Sequence, residues 1–172
     1  MRDFYEKVFQ LLTKSEVEFI VVGGVSAVLQ GAPIVTRDLD ICFRRTPENL
    51  RKLAEALAPL QPTLRNFPPD LPFVFDERAL GLGTNFTLMI GNEELDLLGD
   101  MIAIGGYEQL IKAADLMEVA GMAIYVLPLN KLIATKRAAG RPKDLATIPL
   151  LEATLATKSQ QIPPAHDTTP GQ

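Results

Sequence analysis

Apolar and polar residues alternate along the chain with two different periods, and the change from one period to the other predicts the secondary structure. Residues 2–14 carry apolar side chains at helical spacing, whereas residues 17–22 form the apolar run of a buried strand. Residues 36–43 alternate strictly, which predicts a strand with one face in the core. This order predicts an α/β (α+β) fold in which a small mixed sheet is flanked by helices.

Glycine and proline residues mark where these elements begin and end. The pair Gly23-Gly24 lies at a strand-to-helix turn, and Gly31 closes the short helix that follows. Similar signals predict a helix from Thr46-Pro47, followed by an irregular connection over 59–72 that covers a surface or an edge. A β-hairpin of 85–90 and 94–98, a helix over Tyr107–Glu118 and a strand over Met122–Val126 are predicted next. The last predicted elements are a helix over Leu129–Ala139 and helical structure after Pro142, with a kink or new start at Pro149.

The composition is that of an ordinary soluble domain, with 172 residues of which 47% are hydrophobic and 22% charged. The sequence has neither the apolar run of a signal peptide nor the longer one of a membrane span. We therefore expect a cytoplasmic protein with no membrane partner. Residues 1–156 are predicted to form one domain, and residues 157–172 a disordered polar tail.

A single cysteine and a single histidine restrict the chemistry. Cys42 alone excludes an internal disulfide or a four-cysteine zinc site, and we expect it to be a buried, inert thiol. His166 follows a proline pair in the polar tail, which makes a histidine base or a Ser-His-Asp triad improbable. Any chemistry must therefore use carboxylates, lysines, arginines and backbone groups.

Two carboxylates lie on one side of the strictly alternating strand. Asp38 and Asp40 are two residues apart, hence about 6.6 Å at ~3.3 Å per residue, and point away from Leu39. Two carboxylates on the same side can hold hard cations. The alternative is a solvated strand face, since strands often place polar residues outward.

A third carboxylate, Asp96, lies on the second strand of the predicted hairpin, and Glu94 shares its face as an alternative. Three carboxylates in one cleft repel each other unless cations neutralise them, and oxygen ligands suit Mg²⁺ or Mn²⁺. Two such ions can activate a hydroxyl and stabilise a leaving phosphate.

Two further segments are suited to phosphate. The backbone N–H groups of the glycine turn can donate to phosphate oxygens. Residues 131–143 contain five basic residues and no acidic one, which could neutralise a triphosphate or a short nucleic-acid segment. The alternative, favoured for Lys131 and Arg137, is the exposed side of a helix, and Asp144 is interpreted as a structural helix cap.

The order of these motifs resembles the nucleotidyltransferases of the DNA polymerase beta superfamily. The matching segments are Val21-Val22-Gly23-Gly24, Asp38-Leu39-Asp40 and Leu95-Asp96-Leu97, in the superfamily's order of a glycine turn, a paired-carboxylate strand and a later single-carboxylate strand. The stretch GGVSAVLQGAPIVTRDLDI is similar to small bacterial members that include toxins of abortive-infection systems. Residues 132–145 are similar to their "K-x-x-x-x-R-x-K-D" segment, and the resemblance covers roughly residues 15–155.

The resemblance implies transfer of a nucleoside monophosphate from an NTP to an acceptor hydroxyl, with release of pyrophosphate. It implies that Asp38 and Asp40 hold two Mg²⁺ or Mn²⁺ ions, and that Asp96 binds one and draws the proton from the acceptor. The residues it assigns to the nucleotide are Gly23, Gly24, Ser26, Arg37, Lys136 and Lys143.

The partners are less specified than the donor site. The acceptor is predicted to be RNA such as tRNA, a protein or a small molecule, and an antitoxin protein or a second copy of the chain could complete the site. A second reading is a catalytically silent protein of the same fold that binds nucleotides or proteins. A dinucleotide-binding oxidoreductase does not fit, because no G-x-G-x-x-G spacing follows the first strand.

Overall fold

The computed structural model describes residues 2–68 and 73–161. Over these residues a seven-stranded mixed sheet is flanked by helices, as the sequence predicts. The helices are α1 (Arg2–Lys14), α2 (Gly23–Leu29), α3 (Pro47–Leu57, followed by a 3-10 turn Ala58–Leu60), α4 (Glu77–Leu82), α5 (Tyr107–Leu110), α6 (Leu129–Ala139) and α7 (Pro142–Gln161). The strands are β1 (Phe19–Val22), β2 (Asp38–Phe43), β3 (Thr63–Leu64), β4 (Asn85–Ile90), β5 (Glu93–Leu98), β6 (Asp115–Val119) and β7 (Met122–Val126).

The strands lie in the order β3-β4-β5-β2-β1-β7-β6. β2 pairs antiparallel with β1 and parallel with β5, and β1 also pairs parallel with β7. The paired-carboxylate strand is therefore central, where both of its edges are satisfied by neighbouring strands. This position fixes the direction and height of its side chains over the sheet.

Two apolar clusters fill the two faces of the sheet. Leu39 and Ile41 of β2 belong to the cluster that includes buried residues of α1 and α3, whereas Cys42 belongs to the cluster that includes α5, α6 and α7. Because successive strand residues point to opposite faces, Asp38 and Asp40 share the face of Cys42. The carboxylates therefore emerge on the side of the sheet where α6 and α7 pack.

Local sequence signals explain several boundaries. The Thr46 hydroxyl accepts a hydrogen bond from the Asn49 backbone N–H at 3.3 Å, and Pro47 occupies the first turn of α3. The predicted hairpin is present as β4 and β5, with Gly91 at φ +60° in its turn. In the predicted irregular connection, β3 pairs with β4 and covers that edge of the sheet.

The predicted helix over Tyr107–Glu118 is wrong. Helix α5 is a single turn, and the residues after it form β6, which pairs antiparallel with β7. The connection is the two-residue turn Ala120-Gly121, with φ of +50° and +78°, which suits a tight hairpin. Pairing with the neighbouring strand therefore overrides the helical spacing of this stretch.

Helix α7 is a single element that continues through Pro149 without a new start. Its described residues extend to Gln161, which lies inside the segment predicted as a tail. Residues 162–172, which include His166, lie outside the described residues. Among the described helices, none is long and apolar enough to cross a membrane.

Candidate active site

The carboxylates meet because β2 and β5 are adjacent and parallel. Asp38 lies opposite Glu94 in this register, and Asp40 lies opposite Asp96. One carboxylate oxygen from each of Asp38, Asp40 and Asp96 can be chosen so that all three lie within 4.8 Å of one another. The pairing of these two strands therefore brings the three carboxylates into one cluster.

Crowding of negative charge changes the protonation of these groups. Burial, followed by the charges of Asp38 and Asp96, raises the pKa of Asp40 from 3.8 to about 7. The Gly24 backbone N–H and Lys136 act in the opposite direction. Burial also raises the pKa of Asp96, against the opposing charge of Arg65. Without a bound cation, the cluster therefore disfavours full ionisation.

The glycine turn is packed directly against this cluster. Gly23 has φ +63°, and a Cβ at this position would lie 1.9 Å from Oδ2 of Asp40. A Cβ on Gly24 would lie 2.4 Å from Oγ1 of Thr36. Only glycine fits these two positions without displacing a neighbour. The Gly24 N–H, predicted for phosphate, is directed at the Asp40 carboxylate in this structure.

The two hydroxyl groups near the turn have different surroundings. Ser26 is fully buried, and its Oγ donates to the Gly23 carbonyl at 2.8 Å, so it supports the turn and does not line the cleft. Thr36, which the sequence analysis did not select, donates from Oγ1 to Oδ1 of Asp38 at 2.7 Å. Its position two residues before Asp38 is the sequence feature that could have identified it as a partner of that carboxylate.

Arg65 is a second residue that the sequence analysis missed. Its guanidinium forms a salt bridge to Glu94 at 3.1 Å and a second one to Asp96. The residue follows the short edge strand β3, in the proline-rich connection that predicted no functional group. No local motif marks it, because its partners lie about thirty residues further along the chain.

The basic segment presents less free charge than its composition indicates. Lys136 contacts the buried carboxylate of Asp144 at 2.9 Å, and Arg141 contacts the same group. Burial opposes ionisation there, but hydrogen bonds from Arg141 and Lys136 hold the pKa of Asp144 below its usual value. Arg137 pairs with Glu152 of α7. Two carboxylates therefore engage three of the five cations.

Asp144 does more than cap a helix. Its side chain is almost completely buried and joins the first turn of α7 to α6 through Lys136 and to the connection between the two helices through Arg141. Lys143, one residue earlier, is exposed at the cleft, and its charge acts on Asp96. Among the described residues, no carboxylate pairs with Lys143. It is therefore the cleft lysine best placed to meet an anion.

An open cleft of about 540 Å³ lies between the carboxylate strands and helices α6 and α7. Ile34, Val35, Met101 and Ile102 add an apolar part to its rim. Cys42 is fully buried and has its pKa raised to about 12, mainly by burial, as expected for an inert thiol. The predicted site residues that line this cleft are Gly23, Gly24, Arg37, Asp38, Asp40, Asp96, Lys136 and Lys143.

The donor set fits a hard divalent cation. All three converging groups are carboxylates, and two are held by neighbours: Asp38 by Thr36 and Asp96 by Arg65. Burial and the charges of Asp38 and Asp96 raise the pKa of Asp40 and so disfavour its ionised form. A divalent ion would supply compensating charge. These residues are therefore suited to hold Mg²⁺ or Mn²⁺.

Solved structures provide the comparison for this geometry. No family model matches the sequence, and no curated protein sequence matches it significantly. TM1012 of Thermotoga maritima, provisionally described as a nucleotidyltransferase, aligns over 93% of this chain and 92% of its own, with a TM-score of 0.57 and 19% identity. The chain has a nucleotidyltransferase fold.

Two antibiotic-modifying enzymes share this nucleotidyltransferase fold. ANT(2'')-Ia, in a complex with adenylyl-2''-tobramycin, aligns over 92% of this chain and 91% of its own, with a TM-score of 0.60 and 14% identity. The lincosamide antibiotic adenylyltransferase LnuA, with lincomycin bound, aligns over 89% of this chain and 96% of its own, with a TM-score of 0.57 and 15% identity. At these identities the likeness establishes the fold.

Proposed function

We propose that this protein is a metal-dependent nucleotidyltransferase that moves a nucleoside monophosphate from an NTP to an acceptor hydroxyl. The observation that carries the proposal is the register of β2 and β5, which brings Asp38, Asp40 and Asp96 together beside the glycine turn. A solvated strand face would not need three carboxylates to converge at a cost in their ionisation.

The proposed reaction assigns a role to each carboxylate. Asp38 and Asp40 would hold two divalent ions, and Asp96 would hold one and accept the acceptor's proton. Such ions supply activation of the hydroxyl and neutralisation of the phosphate charge when bound. The acceptor oxygen bonds to the α-phosphorus, the bond from that phosphorus to the bridging oxygen breaks, and pyrophosphate leaves. The reaction is a balanced displacement that needs no further reactant.

The triphosphate would lie along the wall formed by the glycine turn, α6 and α7. Lys143 and Arg37 are exposed cations that line this cleft. Lys136 would contribute less directly, because it is already paired with Asp144. Ser26 would act only through the shape of the turn.

The acceptor we propose is a small molecule that carries a hydroxyl group. Three of the five cations in residues 131–143 are engaged by Asp144 and Glu152, so the segment offers a nucleic-acid backbone less free charge than its composition indicates. The fold neighbours ANT(2'')-Ia and LnuA, which align over most of their length, are bound to antibiotics or an adenylylated antibiotic. A toxin role, a tRNA or protein acceptor, and an antitoxin or homodimer partner stay predictions of the sequence.

Label transfer tests the proposal directly. The protein is incubated with each α-³²P-labelled NTP, Mg²⁺ or Mn²⁺ and cell extract, and the products are separated into small-molecule, RNA and protein fractions. We expect metal-dependent label in the small-molecule fraction and none with Asp38→Asn. Asp115→Asn, a change of an exposed carboxylate on β6, is the matched control and should label like the parent.

The fraction that carries the label identifies the class of acceptor. Label in RNA or protein would contradict the proposed acceptor but support the reaction class. No metal-dependent label with any NTP, together with nucleotide binding in a thermal-shift assay, would favour the catalytically silent binding protein.

A further inference from the structure

We propose that Arg65 is a positioning residue that selects Asp96, and not Glu94, as the third carboxylate of the cation site. The proposal rests on the proposed cation site, although not on the transfer reaction itself. Arg65 carries no local sequence motif, and its contacts lie at the edge of the sheet.

The backbone of Arg65 is fixed next to Asp96. Its N–H donates to the Thr87 carbonyl at 2.9 Å, and Thr87 lies directly opposite Asp96 in the pairing of β4 with β5. The Arg65 side chain is about one-quarter exposed. The guanidinium therefore approaches the carboxylates from the β4 side, opposite to Asp38 and Asp40.

Its two terminal nitrogens hold two different carboxylates. One contacts Oε2 of Glu94 at 3.1 Å, and the other donates to Oδ1 of Asp96. Glu94 and Asp96 are two residues apart on β5 and share a face, so both could approach Asp38 and Asp40. Only Asp96 joins the converging group.

This arrangement explains the difference between the two acidic residues. The contact with Arg65 engages Glu94 and compensates its charge. At Asp96 the same guanidinium occupies one carboxylate oxygen and leaves the second oxygen free of Arg65. Hydrogen bonds to ligating carboxylates orient them in metal sites, and their loss weakens metal binding.

The arrangement also has a structural cost. Nε of Arg65 is buried without a hydrogen-bond partner among the described residues. An unpaired buried N–H is unfavourable, so the two carboxylate contacts must outweigh it. A side chain that served only to cover the edge could leave this position for solvent.

Mn²⁺ binding without nucleotide, measured by electron paramagnetic resonance, tests the proposal. We expect Arg65→Gln to raise the Kd for Mn²⁺ roughly tenfold to a hundredfold, the range for lost support of a ligand. Arg65→Lys should recover part of the loss. Arg51→Gln, which removes an exposed charge from α3, is the matched control and should bind like the parent.

The same substitution in an Asp96→Asn protein distinguishes positioning of Asp96 from a general effect of charge or folding. In Asp96→Asn protein, Arg65→Gln should have no further effect on Mn²⁺ affinity, because its action passes through Asp96. Tighter binding in Arg65→Gln would mean that Arg65 is only a counter-ion and would overturn the proposal. Unchanged affinity with a lower Tm would assign it a purely structural role and also overturn it.

Failure of the proposed function and failure of the proposed role of Arg65 would give different results. If the parent binds Mn²⁺ but transfers no label, the proposed function fails while the role of Arg65 stands. If label is transferred and Arg65→Gln binds Mn²⁺ like the parent, the role of Arg65 fails alone. Absence of Mn²⁺ binding in the parent would overturn both.

Discussion

Replacing Asp40 by asparagine should stabilise the metal-free protein while it removes the capacity to bind a divalent cation. The Asp40 carboxyl is crowded by Asp38 and Asp96 and largely removed from solvent. Asparagine has nearly the same shape and no charge to bury. The site would then be a place where stability is given up for function.

The magnitude follows from the pKa of Asp40, which is raised from 3.8 to about 7 in the folded protein. Well below pH 3.8 the carboxyl is protonated in both the folded and the unfolded chain, so it contributes no difference. As the pH rises from 4 to 7, the unfolded chain releases its proton first, and the folded state loses stability. At about 1.4 kcal/mol per unit, the penalty reaches at most about 4 kcal/mol above pH 7.

Part of this gain is offset in the variant. The Asp40 carboxylate receives a hydrogen bond from the Gly24 N–H, and a neutral amide oxygen accepts it less strongly, at a cost of about 1 kcal/mol. We therefore expect Asp40→Asn to raise the free energy of unfolding by about 1–3 kcal/mol at pH 8. The difference should be small near pH 4, close to the ordinary pKa of 3.8 of this carboxyl.

Urea unfolding in EDTA at pH 4, 6 and 8 measures this directly, with Asp115→Asn as the control for loss of an exposed carboxylate. Adding Mn²⁺ at pH 8 should stabilise the parent and not the Asp40→Asn protein. A difference between the two proteins that is the same at pH 4 and pH 8 would refute the electrostatic reasoning. So would a less stable Asp40→Asn protein at pH 8.

Three further outcomes follow from the same site. Gly23→Ala should lose about 1–3 kcal/mol of stability and most Mn²⁺ affinity, since its Cβ would collide with the Asp40 carboxylate. The control is Gly31→Ala, with φ +91° and no atom within 4 Å of its Cβ, which should be destabilised without losing Mn²⁺ affinity. Lys143→Ala should weaken binding of a non-hydrolysable NTP about threefold to tenfold by calorimetry, whereas Lys131→Ala, outside the cleft, should not. Cys42 should stay unlabelled by a thiol reagent at pH 8 until urea unfolds the protein; rapid labelling of the native protein would contradict its burial.

Local patterns predicted most of the framework of the site. The strict alternation around Leu39 and Ile41 placed two carboxylates on one face, and Gly91 marked the hairpin that carries Asp96. Such signals are reliable because the strand period and the turn geometry act over a few residues. The hairpin β6–β7 shows the limit, since there the pairing of strands decided against a helical spacing.

Charge was predicted less well than geometry. Residues 131–143 contain five cations, but the sequence does not show that three of them are paired with Asp144 and Glu152. Nor does it show that Arg65 holds two carboxylates. Ion pairs depend on side chains that meet only after folding, so composition alone overestimates the free charge.

The sequence by itself determined which residues could carry the chemistry: two carboxylates on one strand face, a third on a hairpin, and a glycine turn before them. The tertiary structure decided that β5 lies parallel to β2 with Asp96 opposite Asp40, and that Arg65 reaches across from the edge strand. The physical reason is that strand order and register arise from burial of the whole sheet between its helices. No short segment contains that information.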